Sequence, residues 1–261
     1  MMKNVGWPDG YAKCILPEVD STNAEAVRVA ATLTGPTWIM AHRQTAGRGR
    51  RGRPWVDPTG NLAATLVLRP AEVPGQAALR SFVAALALDD ALVMVTGRAE
   101  SFALKWPNDV LLHGGKLAGI LLESAGIGGK LSHLAIGFGV NLSEVPQVVA
   151  KGAVPPVSLR GETGTQIAPE DFLTYLAAAY AMREDQFARH GFAPIRTAWL
   201  ARAARLGEVI TARTGKAEIT GRFETVDEDG NLVLSTGTGR QAIAAADVFF
   251  DEVEAGHAAG D

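Results

Sequence analysis

Between residues 103 and 140 the chain alternates apolar runs with tight-turn chemistry, and this pattern limits the fold more than any other feature. The runs 103–106, 109–112, 117–123 and 131–140 read as successive strands. Pro107-Asn108, His113-Gly114-Gly115 and the glycine-rich 126–129 separate them, and breaks this short suit antiparallel hairpins. Residues 38–41 and 61–68 are strand-like as well. Helical periodicity is read at 76–94, from Pro169 to about His190, at 194–204, and after Ser21. In that last segment Thr22 and Glu25 have the spacing of a capping box, with Ala26, Val29, Ala30 and Leu33 on one face. The expected class is α+β, a central, mostly antiparallel sheet flanked by helices.

The character changes at Leu206. Short strands are expected at 209–211, 217–224, 231–234 and 241–244, with turns at Asp229-Gly230 and at Gly237 and Gly239. Four short strands in so few residues imply a small barrel-like unit. The expected division is 1–205 for the main domain, 206–254 for the barrel, and a disordered tail at 255–261.

Composition excludes several classes. The 261 residues, 47% of them hydrophobic, suffice for a large domain with its own core. A formal charge of -3 removes the molecule as a whole from polyanion binding. Cys14 is the single cysteine, so neither an internal disulfide nor a cysteine zinc site can form, and the five histidines show no ligand spacing. The most apolar stretch, 82–95, is too short for a bilayer and carries Asp89 and Asp90 at its middle. The first ten residues lack a secretory signal, so a cytoplasmic location is expected.

Two segments carry chemistry. In Gly47-Arg48-Gly49-Arg50-Arg51-Gly52-Arg53, four arginines fall within six residues of a net acidic protein, alternating with glycines. A solvated charge run is the bland explanation. Against it, glycine lets backbone wrap closely around a ligand while guanidinium forks match carboxylate or phosphate. The segment also fits G-x-G-x-x-G, but Pro54 and Pro58 follow too soon for the helix a dinucleotide fold requires, and no P-loop pattern occurs. The second segment is Lys105-Trp106-Pro107-Asn108-Asp109, followed by Lys116 at the head of an apolar strand. A well-made turn with Trp106 in the core, and an edge lysine at 116, would explain both. Gly119 inside an expected strand suggests a close approach to the backbone, and Gly137 and Gly139 suggest either a ligand lying against the sheet or a bulge. No Ser/His/Asp set stands out. The chemistry indicated is the handling of anions by arginines, lysines and backbone amides.

Ser21-Thr22-Asn23, Gln44 through Trp55, Lys105 through Asp109, Gly115 through Leu121 and Gly137 through Asn141 occur in one order and spacing that resembles the biotin protein ligase family, over about residues 14–253. The resemblance implies a class II synthetase-like biotin/lipoate ligase fold with a C-terminal SH3-like barrel. It implies formation of biotinyl-5'-adenylate from biotin and ATP with Mg²⁺, then transfer to one lysine of a biotin carboxyl carrier protein domain. Lys116, Arg48, Arg50 and Asp109 would be catalytic. Ser21, Thr22, Asn23, Gln44, Arg48, Gly49, Arg50, Lys116 and Gly119 would bind biotin. Gly47, Arg51, Gly52, Arg53, Trp55, Lys105, Asn108 and Asn141 would line the ATP or adenylate site, with Mg²⁺ carried by ATP and no protein-only metal site. Some family members carry an N-terminal winged-helix repressor domain. About 13 residues precede the first family-like strand here, so a ligase without nucleic-acid binding is expected. The resemblance allows a homodimer. The alternatives are a lipoate or octanoate ligase, or a non-catalytic anion- or nucleic-acid-binding module.

Overall fold

The computed structural model describes residues 5–56, 58–128, 130–146, 154–215 and 217–250. The expectation for the tail 255–261 lies outside them. Seven strands, β1 (Ala12–Leu16), β2 (Thr37–Ala41), β3 (Leu62–Leu68), β4 (Phe102–Lys105), β5 (Asp109–Leu112), β6 (Gly115–Ile127) and β7 (Lys130–Val140), form one sheet in the order β1-β2-β3-β7-β6-β5-β4. Only the β1–β2 pair is parallel, so the sheet is mostly antiparallel as expected.

Side-chain alternation gives this sheet two different faces. Trp38 and Met40 of β2, Leu62, Ala64 and Leu66 of β3, and Ile136, Phe138 and Val140 of β7 belong to the main core. That core is closed by α3 (Arg80–Thr96) and α5 (Pro169–His190), joined by α6 (Phe192–Leu200). The opposite parity, with Ile39, Val67 and Ala135, receives α1 (Thr22–Val29) through Ala26 and Ala30. Beyond α1 this second face carries Thr65, Gly119, Leu121, Glu123, Gly137 and Gly139. Small and polar residues there leave room above the sheet.

Several local readings change. The single helix expected at 76–94 is two, α2 (Pro74–Ala78) and α3, with Leu79 between them. A short α4 (Leu159–Thr163), capped by the Ser158 hydroxyl, was not expected. The Thr22–Glu25 capping box does not form: Ser21 is the N-cap, without a side-chain cap. Thr22 is drawn instead to Gln44, whose Oε1 accepts from the Thr22 amide at 2.9 Å and from its hydroxyl at 3.2 Å. At Gly137 and Gly139 the register is regular, so the bulge alternative fails there; the irregularities fall between Val110 and Leu111 and between Ala125 and Gly126.

After Arg205, β8 (Val209–Arg213), β9 (Glu218–Val226), β10 (Leu232–Thr236), β11 (Gly239–Ile243) and β12 (Asp247–Phe249) form a five-stranded antiparallel sheet ordered β11-β10-β9-β8-β12. The sequence reading lacked β12. This SH3-like unit is docked firmly: Trp106 is buried and its Nε1 donates to Gly230 O at 3.1 Å. Phe223, Leu232 and Leu234 share the main core.

Candidate active site

The site grows from the N-terminus of α1, where Ser21, Thr22 and Asn23 are all buried. Buried polar groups need partners, and these find them across the sheet. Thr65, the one polar residue of β3, places Oγ1 2.8 Å from Thr22 Oγ1 and 2.6 Å from Asn23 Oδ1. Asn23 Nδ2 donates to Glu123 Oε2 at 2.8 Å. A methyl group at Gly137 would lie 2.2 Å from Asn23 Oδ1, so glycine is required for Asn23 to reach the sheet. Together with Gln44, these residues form a compact hydrogen-bonding cluster, neutral apart from Glu123 at its edge.

Beside this cluster the glycine–arginine segment folds back on itself. Trp55 N donates to Gly47 O at 2.9 Å and Gly49 N to Arg53 O at 2.7 Å, and the turn passes through Arg51 and Gly52 at positive φ, 56° and 71°. Trp55 then lies flat against the sheet: methyl groups at Gly139 and Gly119 would stand 2.4 Å and 3.2 Å from its ring. The close approach expected at Gly119 is made by Trp55, and at Gly137 and Gly139 the chain's own Asn23 and Trp55 lie where a ligand was expected.

The arginines spread to different partners. Arg48 meets Glu123 at 3.1 Å. Arg50 donates to Asn108 Oδ1 at 3.3 Å and to Ala246 O at 3.2 Å, and burial lowers its pKa. Arg51 and Arg53 each reach Asp247 Oδ2 at 2.8 Å, so β12 of the second sheet holds the loop. On the hairpin, Lys116 Nζ lies 2.7 Å from Asp109 Oδ1, and Lys105, buried beside it, stands 3.9 Å from Asp109 Oδ2. Burial pushes the Lys105 ammonium below its ordinary range; Asp109 opposes this and Lys116 adds to it. Lys116 also lies over the Trp55 ring, 5.7 Å from its centre.

Six cations, Arg48, Arg50, Arg51, Arg53, Lys105 and Lys116, thus meet three carboxylates, Glu123, Asp109 and Asp247. The excess of positive charge beside a cluster of hydrogen-bonding side chains suits an anionic ligand. Asn108 braces the hairpin, its Nδ2 donating to Ile120 O at 2.6 Å. Asn141 is used within the fold: its Nδ2 donates to Val157 O at 3.1 Å, and Asn61 Nδ2 stands 3.5 Å from its Oδ1. Among the described residues no group of three or more His, Cys, Asp or Glu could hold a metal ion.

Four residues here were not singled out in the sequence. Thr65 is visible only as a polar interruption of an apolar run, and Glu123 shares the parity of Gly119. Asn61 and Asp247 have no local signal, since their roles depend on contacts 80 and 194 residues away.

Two family models match the chain, the biotin/lipoate A/B protein ligase family at residues 16–141 and the biotin protein ligase C-terminal domain at 206–251. A biotin–[acetyl-CoA-carboxylase] ligase of Paracoccus denitrificans is 58% identical over 238 residues, 90% of this chain and 99% of that protein. The chain belongs to the biotin protein ligase family. A bifunctional ligase/repressor of Bacillus subtilis is 31% identical over 81% of this chain and 65% of its own length. Among solved structures, the biotin protein ligase of Aquifex aeolicus in complex with biotin and ATP superposes with a TM-score of 0.77 at 27% identity, covering 91% of this chain and 97% of that one. In this chain, 12 of the 18 residues expected at the site fall into contacts that join the start of α1, the loop and the lysine hairpin; Ser21, Gly47, Gly49, Gly52 and Gly119 contribute backbone and space, and Asn141 bonds to Val157 instead.

Proposed function

We infer that this chain is an ATP-dependent biotin–protein ligase. A biotin carboxylate oxygen attacks the α-phosphorus of ATP, the α–β phosphoanhydride breaks, and pyrophosphate leaves biotinyl-5'-adenylate. The deprotonated amine of a lysine on a biotin carboxyl carrier protein domain then attacks the acyl carbon and AMP departs. The observation that supports this reading best is the convergence of the cationic loop and the Lys116–Asp109 hairpin on the hydrogen-bonding cluster at the start of α1.

In this reading Thr22, Asn23 and Gln44 take the uncharged ring system of biotin. Lys116 and Arg48 bring carboxylate and α-phosphate together against their repulsion and neutralise charge that grows in the transition state. Arg50, Arg51, Arg53 and Lys105 face the remaining phosphates, and Trp55 provides an aromatic surface. The loop closes over the mixed anhydride and keeps water from it. Asp109, paired with Lys116 at 2.7 Å, would help organise the triphosphate and the Mg²⁺ that arrives on it. Such an ion would supply further charge neutralisation. In this reading the enzyme acts on a carboxylase subunit in the cytoplasm.

The direct test is ATP–pyrophosphate exchange in the purified protein. Exchange that requires biotin and is not supported by lipoate is expected. Exchange driven by lipoate alone would move the protein to the sister activity, and no exchange with either would leave only a binding module.

A further inference from the structure

We propose that Glu123 is a positioning residue that links the biotin pocket to the glycine–arginine loop. This rests on the ligase reading above and adds a component to it. Glu123 follows Gly119 and Leu121 on the site face of β6. One of its carboxylate oxygens, Oε2, is shared: Asn23 Nδ2 donates to it at 2.8 Å and Arg48 donates to it at 3.1 Å. Asn23 has little freedom of its own. It is buried, its Oδ1 is fixed by Thr65 at 2.6 Å, and its side chain presses against Gly137. The carboxylate therefore has one anchored donor below it and one loop donor above it. Through this single atom the state of the pocket is felt by Arg48.

Charge makes the link directional. A carboxylate oxygen accepts from two donors at once in charge-assisted bonds, whereas a neutral amide oxygen in its place keeps the acceptor and loses the charge that strengthens the bond to Arg48. A purely architectural role is a poor account of the residue. The Glu123 and Arg48 side chains are 33% and 39% exposed, and an ion pair that open to water contributes little to stability. What the pair does fix is the place of Arg48 beside the pocket, and with it the entrance of the loop.

The experiment begins with the wild-type protein. Biotin-dependent pyrophosphate exchange in it secures the ligase reading, and its absence removes both that reading and this one. In an active wild type, preformed biotinyl-adenylate is chased to follow its release, and trypsin reports the exposure of the arginines at 48–53 with biotin and ATP present. Glu123→Gln is expected to release the adenylate ~10-fold faster, the loss of roughly one charge-assisted hydrogen bond, and to lose ligand-dependent protection from trypsin with an unchanged melting temperature. Adding Glu123→Gln to Arg48→Ala is expected to change release no further than Arg48→Ala alone. Wild-type release and protection in Glu123→Gln, or effects that multiply in the double variant, would overturn the proposal. Should Glu123→Gln not fold, Glu123→Asp, which keeps the charge at shorter reach, is read by the same criteria.

Discussion

Gly139 shows how much a single missing methyl group can decide. The Trp55 ring occupies the volume a side chain would take, with Cε2 only 2.4 Å from the position of a Cβ. Gly139→Ala is therefore an overpacking change expected to cost ~1–3 kcal/mol in denaturant unfolding and to raise the KM for ATP by moving the indole. Trp55→Ala in the same chain should return the stability, and failure to do so would mean the glycine serves another purpose. At Lys116 the expectation concerns rate. If Lys116 is the electrostatic donor proposed for the reacting phosphate, Lys116→Ala should slow adenylation by ~10²–10³-fold in a single-turnover assay. A folded variant with a near-normal rate would remove Lys116 from that role.

Elements were legible where the pattern of side chains alone determines them. The hairpins of 102–140 follow from period-two alternation broken by turn residues, and α5 opens at Pro169 as expected. Local rules failed where a distant residue competes for the same group. The Thr22 amide and hydroxyl, which a capping box would use otherwise, bond to Gln44 22 residues on. Likewise β12 has three residues and exists because β8 pairs with it. That pairing brings Asp247 to the loop, so the site spans both sheets. Asp247→Ala should free Arg51 and Arg53 and increase tryptic cleavage within the loop by about 10-fold, the equivalent of ~1.4 kcal/mol. Unchanged cleavage would mean that the Asp247 contacts do not hold the loop. Arg50→Ala should speed the loss of bound biotinyl-adenylate, because Arg50 ties the loop both to Asn108 and to Ala246 O.

For the whole molecule, stability and function reside in different places. The second face of the large sheet is small and polar where the site lies, while the first face carries the core. Behind that core Arg80, with a side chain only 6% exposed, pairs with Glu184 at 2.7 Å and Glu72 at 3.1 Å, and Tyr180 donates to Glu184 at 3.1 Å. Burial raises the Tyr180 phenol pKa well above its ordinary value, and that of Tyr11 to about 12, with Glu184 adding to both. Arg80→Met would strand carboxylates that have lost their cation and is expected to cost about 3 kcal/mol in equilibrium unfolding. Pyrophosphate exchange measured well below the melting temperature should persist, and its loss there would show that the cluster reaches the site. The sequence order of anion-handling segments made the family recognisable. Their convergence was not legible, since it depends on how α1, β6, β7 and β12 meet.

The central claim is the chemistry on the carrier lysine, and intact-mass measurement of an apo biotin carboxyl carrier domain tests it most directly. The domain is incubated with this protein, ATP and Mg²⁺, with biotin or lipoate supplied separately. The account predicts a gain of one biotinyl group with biotin and no gain with lipoate. A gain with lipoate alone, or with neither from a folded enzyme, would contradict it.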